Sequence, residues 1–251
     1  MLRSLKDITR NYELQAIDGK IGKIKDFYFN DNFWIIKYLV ADSGDWLRKR
    51  LVLLLPVTLG SPDWESTELP VNLTLDKIEN SPPVENHKPV SRQQEEELLK
   101  YYAWPADLSY GFGAVNTVEI QLLQARMQEN QKAQKESKQK DEKDEHLRSS
   151  KEVIGYDIHA TDGLIGHIED FIIEDKSWVI NYIILDTKNL LPGKKVIISP
   201  GRILKIDWAK HQVHINLNRE SIKNSPSFDP SDLVNKAIEV QEYDYYGRPG
   251  K

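Results

Sequence analysis

From Trp34 to Val40 the chain reads Trp-Ile-Ile-Lys-Tyr-Leu-Val, and from Trp178 to Ile184 it reads Trp-Val-Ile-Asn-Tyr-Ile-Ile. Trp, Ile and Tyr hold the alternate positions in both stretches, while the polar position between them changes from Lys37 to Asn181. This period of two predicts a β-strand with one face on a core. Leu69, Val71 and Leu73 keep their apolar character at alternate positions, recurring as Val213, Ile215 and Leu217. Val52 to Leu55 and Val196 to Ile198 read as short apolar strands closed by Pro56 and Pro200. Asp18-Gly19 and Asp162-Gly163 each lie between β-prone segments, a hairpin signal. Thr74 and Asn218 are helix N-caps with Asp76 and Glu220 in the first turn, and Asn-Ser-Pro at 80–82 and 224–226 ends each helix. A further helix is predicted from Ser91 to Leu99.

These elements come in two sets. The offset that aligns Trp34 with Trp178, 144 positions (178 − 34), also aligns Tyr12 with Tyr156, Gly22 with Gly166, Asp26-Phe27 with Asp170-Phe171, and Asp63-Trp64 with Asp207-Trp208. Roughly a third of the positions from Tyr12 to Pro82 recur without a gap, which marks a duplicated unit. Both copies close on Tyr-Tyr-x-x-Pro, at 101–105 and 245–249. The expected organisation is a first domain over 1–105, a polar and partly helical linker over 106–150, and a second domain over 151–251. About five short strands with tight turns predict a mainly β fold in each domain, a small closed or nearly closed barrel with short accessory helices. Gln121 to Ser150 is rich in Gln, Lys and Glu without Gly or Pro, and reads as a solvated tether.

The order G-x-I-x-D-F, W-x-I-x-Y, an apolar strand ending in Pro, and then Asn-Ser-Pro resembles the PRC-barrel family. That family includes the cytoplasmic domain of the photosynthetic reaction-centre H subunit and the C-terminal domain of the ribosome-maturation factor RimM. The closing Tyr-Tyr-Ala-Trp-Pro and Tyr-Tyr-Gly-Arg-Pro are similar to the tails of stand-alone bacterial members. The resemblance implies two PRC-type β-barrels and a role in binding other proteins and stabilising assemblies. The membrane helix of the H subunit has no counterpart, which argues against a direct photosynthetic role, and the separate N-terminal domain of RimM has none, which leaves ribosome maturation as an alternative rather than the leading expectation.

Composition narrows the classes further. The net charge of −5 argues against a dedicated nucleic-acid binder. No cysteine occurs, which excludes disulfides and thiolate metal sites and fits a reducing cytosol. The first residues, MLRSLKDITRNYEL, lack the apolar core of a signal peptide, and runs such as LVLLLPV are of strand length, short of a membrane span. A soluble, cytoplasmic protein without a transmembrane segment is expected.

Candidate chemistry is sparse. His159, His167, His211 and His214 fall in the second copy where the first has Gln15, Lys23, Thr67 and Pro70, so they do not mark a site inherited by both. His211 and His214 are three apart, on opposite faces of a strand, and read as surface residues. Asp26 and Asp170 each precede a phenylalanine and read as partners in a structural hydrogen bond to a neighbouring turn rather than as general acids. Asp-Gly-x-x-Gly at 18–22 and 162–166 has no following helix to hold a phosphate, so turn and bulge glycines account for it. No Ser-His-Asp or Cys-His set assembles. No catalytic residue, cofactor or metal is expected, and the protein is read as a non-enzyme. The apolar pairs Trp46-Leu47 and Leu190-Leu191 stand in hairpin loops, where they either fold back as a lid or face a partner. These four residues are the candidate partner contacts. The leading expectation is a protein-binding scaffold whose partner is another protein, with the two barrels packed as an internal pseudo-dimer, assembled as a homo-oligomer, or joined by a mobile tether. The alternatives are a small-molecule or cofactor carrier using the barrel interior, and a RimM-like ribosome- or RNA-associated factor.

Overall fold

The computed structural model describes residues 1–44, 50–63, 65–82, 92–102, 147–188 and 190–229. Strand β1 (Leu2–Ser4) and helix α1 (Leu5–Asn11) lead into β2 (Glu13–Ala16), β3 (Gly19–Asn30), β4 (Ile35–Asp42), β5 (Leu51–Leu54) and β6 (Glu68–Pro70). Helices α2 (Leu75–Glu79) and α3 (Arg92–Tyr101) follow. The series then repeats as β7 (Leu147–Ser149), α4 (Ser150–Val153), β8 (Asp157–Ala160), β9 (Gly163–Glu174), β10 (Ile180–Asp186), β11 (Lys195–Ile198), β12 (Ile203–Asp207), β13 (Gln212–Ile215) and α5 (Arg219–Asn224).

The described chain forms two compact units. One sheet has the order β5-β4-β3-β2-β6 with β7 added against β3. The other has the order β11-β10-β9-β8-β13-β12 with β1 added against β9. All pairs are antiparallel except β2 with β6 and β8 with β13. The mainly β class expected from the period-two pattern is observed. Closure is not: among the described residues neither strand path returns on itself, so each sheet keeps two ends.

Glycines set the sharpest bends. A Cβ on Gly22 would lie 2.0 Å from the Asp42 carbonyl oxygen, and one on Gly166 would lie 1.8 Å from that of Asp186. The register of each hairpin shifts beside these residues, between Leu14 and Gln15 and between Ile158 and His159. Only a residue without a side chain allows the crossing backbone so close.

Two expectations change. Trp34 and Trp178 do not begin their strands; each sits just before, with φ of 56° and 58°. Thr67 and His211, also equivalent positions, have φ of 54° and 55°. Bulky or branched residues rarely adopt this left-handed geometry, so its recurrence at matched positions shows that the duplication kept the backbone and not only the pattern. The strands after the tryptophans are also not half-exposed. In β4 only Lys37 and Asp42 escape full burial, and in β10 only Asn181 and Asp186. The second face of the β9–β11 region is covered: Ile172, Tyr182, Ile184 and Ile197 form a cluster with Phe228, and Leu2 packs against it. A central strand with cover on both sides loses the polar alternation.

The helix predictions hold. Thr74 Oγ1 accepts from the Lys77 N–H and Asn218 Oδ1 from that of Ser221. The hairpin aspartates add a second cap, Asp18 Oδ1 accepting from the Leu75 N–H and Asp162 Oδ1 from that of Arg219, each at 2.8 Å. At the other end Arg50 donates to the Glu79 and Ser81 carbonyls, and Lys194, its equivalent, donates to those of Lys223 and Ser225. One loop cation thus closes the helix C-terminus in each unit. Among the described residues no helix is long and apolar enough to cross a membrane.

Candidate functional site

The units do not follow the copies. Met1–Lys6, which precedes the first copy, belongs to the unit built from the second. Leu147–Ser149 and Asp175–Val179 belong to the unit built from the first. Leu147 to Ser150, expected at the end of the tether, forms β7 and the start of α4 instead.

Both exchanged strands spell Leu-Arg-Ser. In one unit Leu2, Arg3 and Ser4 pair with Glu174, Ile173 and Ile172. In the other, Leu147, Arg148 and Ser149 pair with Asn30, Phe29 and Tyr28. Tyr28, Phe29 and Asn30 are the equivalents of Ile172, Ile173 and Glu174 at the repeat offset, so the two additions share one register.

A buried carboxylate anchors each strand. Ser4 Oγ donates to Asp170 Oδ2 at 2.5 Å, and the Lys6 N–H donates to Oδ1 at 3.0 Å. Ser149 Oγ donates to Asp26 Oδ2 at the same distance. The second oxygen is held locally, by the N–H of Phe171 or Phe27 at 2.7 Å. Asp26 is 9% exposed and Asp170 4%. A carboxylate at that depth needs donors on its oxygens, and the exchanged serine supplies one. Burial pushes the Asp170 carboxyl above the usual aspartate range, against the pull of the bonds from Ser4, Phe171 and Lys6.

Ion pairs flank the anchors. Arg148 Nε lies 3.0 Å from Asp31. Lys6 and Lys195 place their ammonium groups 2.7 and 3.2 Å from Glu169 Oε1. Burial acts to raise the Glu169 carboxyl, but these lysines hold it below its ordinary value. Glu169 also belongs to the one cluster with metal-ligand chemistry among the described residues, its ligand atoms lying within 4.8 Å of those of His167 and Asp186. Two ammonium groups on the same carboxylate oppose a cation there. His159 and His214 stack across β8 and β13 with centroids 5.2 Å apart. His211 stacks instead on Tyr156 at 4.7 Å.

Of the candidate partner contacts, Trp46 and Leu47 lie outside the described residues, as does Trp64. Leu190 and Leu191 are half-buried at a turn whose two N–H groups bond the Thr187 carbonyl, with Thr187 Oγ1 donating back to that of Leu191. The anchoring role of Asp26 and Asp170 escaped sequence reasoning because their serines lie 123 and 166 residues away. The double occurrence of Leu-Arg-Ser was the signal available. No protein-family model and no curated protein matches the chain.

Proposed function

We propose that this protein is a non-enzymatic protein-binding scaffold built from two PRC-barrel-type β units. The observation that supports it most is strand addition: β3 and β9 each take up a segment from elsewhere in the chain through backbone pairing and a side-chain anchor. This is the chemistry by which sheets bind peptides and partner proteins, and it needs no catalytic group. The order of motifs shared with the PRC-barrel family adds weight. So does the apolar turn at Leu190-Leu191, whose counterpart in the sequence of the first copy is Trp46-Leu47.

Affinity capture from native lysate with the full chain, read by quantitative mass spectrometry, tests the proposal. Capture of a protein well above background is expected. It should be lost when Leu190 and Leu191 are both changed to aspartate, or Trp46 to alanine, with the melting temperature unchanged. Empty captures, or identical captures with these variants, count against the scaffold reading. A large fall in melting temperature for Trp46→Ala would make that loop a lid instead.

A further inference from the structure

We propose that β3 and β9 carry two copies of one recognition site for an extended Leu-Arg-Ser segment, and that the Leu2–Ser4 arm of a second copy of this chain also occupies it, so that chains exchange this arm. This deepens the protein-binding reading by naming a partner, and it rests on the strand addition that supports that reading.

The two sites share their strand register and their serine anchor. Ser4 faces Ile172 and Ser149 faces Tyr28, matched positions of the repeat. Each serine hydroxyl donates to Oδ2 of the same repeat aspartate at the same 2.5 Å. The leucine has its own receptor in one unit, where Leu2 packs on Ile172, Tyr182, Ile184, Ile197 and Phe228. In both cases the segment sits on the long strand of the copy it does not precede. A site that reads three residues and a backbone register has no means of telling its own chain's arm from that of another molecule. Self-docking is favoured only by the effective concentration of a tethered arm, which is in the millimolar range for short connections. Three residues of pairing also open locally without global unfolding, which supplies a route for exchange.

The test uses full-length protein. Unlabelled and 15N-labelled chains are mixed at about 1 mM, a concentration that competes with self-docking, then sampled over time by native mass spectrometry. A species with one heavy and one light chain should grow in. Excess synthetic peptide Met-Leu-Arg-Ser-Leu-Lys should suppress it, while a scrambled peptide should not. Ser4→Ala removes one charge-assisted bond and should speed exchange about tenfold. It should leave the final mixed fraction unchanged, because the same bond is lost from self-docked and exchanged forms alike. Leu2→Asp, whose arm no longer seats in the apolar cluster, should abolish mixed species. Absence of mixed species in the wild type overturns the proposal. So do mixed species that persist with Leu2→Asp or ignore the peptide, an outcome that assigns association to another surface and leaves the scaffold reading standing. Should Leu2→Asp fail to fold, the Ser4→Ala kinetics and the peptide decide.

Discussion

Ser149 donates its hydroxyl hydrogen to Asp26 across 123 residues of sequence, at 2.5 Å. Ser4 and Asp170 repeat the bond in the other unit. Through these two bonds the aspartate of each D-F pair holds a strand that precedes the opposite copy.

Asp170→Ala and Asp26→Ala should each cost about 2 kcal/mol, the scale of a charge-assisted bond to a buried acceptor. Their local effects should separate. Hydrogen exchange should speed up over residues 2–6 in the Asp170 variant and over 147–149 in the Asp26 variant. Equal deprotection of both arms by either variant would refute separate anchoring.

The Asp170 carboxyl titrates above the usual aspartate range, chiefly because it is buried. Between the ordinary aspartate value of about 3.9 and its own higher one, the folded state therefore binds more protons than the unfolded chain. Stability must fall as pH rises through that window, from this group alone. Asp170→Asn removes this titration. Subtracting its denaturation free energies from those of the wild type should leave a difference that declines as pH rises from about 4. A rising difference would show that the hydrogen bonds outweigh burial.

Arg50 and Lys194 close equivalent helices through different head groups, a guanidinium that donates from two nitrogens and an ammonium. Arg50→Ala and Lys194→Ala should each cost about 1 kcal/mol. The exchanges Arg50→Lys and Lys194→Arg should stay within about 0.5 kcal/mol, since each repeat already works with the other's residue. Chemical denaturation midpoints would check both pairs.

Gly22→Ala and Gly166→Ala each drive a methyl group into a carbonyl oxygen of the neighbouring strand. Destabilisation of about 3 kcal/mol or more is expected. Gly44 is the control, with φ of 62° and no atom within 4 Å of a built Cβ. Its alanine variant should lose only about 1 kcal/mol, the backbone cost of that conformation. Comparable losses at all three positions would remove the steric argument.

Thr67 is exposed and β-branched, yet holds φ at 54°. Thr67→Asn keeps a polar side chain that tolerates this region and should raise stability by about 0.5–1 kcal/mol. A loss would mean that the Thr67 hydroxyl, which donates to the Ser66 carbonyl, outweighs the strain.

Short-range order was legible in the residues. The offset of Trp34 and Trp178 announced a duplicated β unit, and Thr74, Asn218 and the Asn-Ser-Pro stops marked the helices, because turns and caps depend on neighbours a few positions apart. The positive φ of Trp34 was hidden, since nothing in a tryptophan advertises left-handed backbone. Burial on both faces of β10 was hidden too, because Phe228 and Leu2 reach it from distant parts of the chain. Which Leu-Arg-Ser lies on which strand was decided only in three dimensions. A sheet edge offers the same N–H and C=O groups whatever its residues, and two identical segments give it nothing to choose between. Chain path made the assignment.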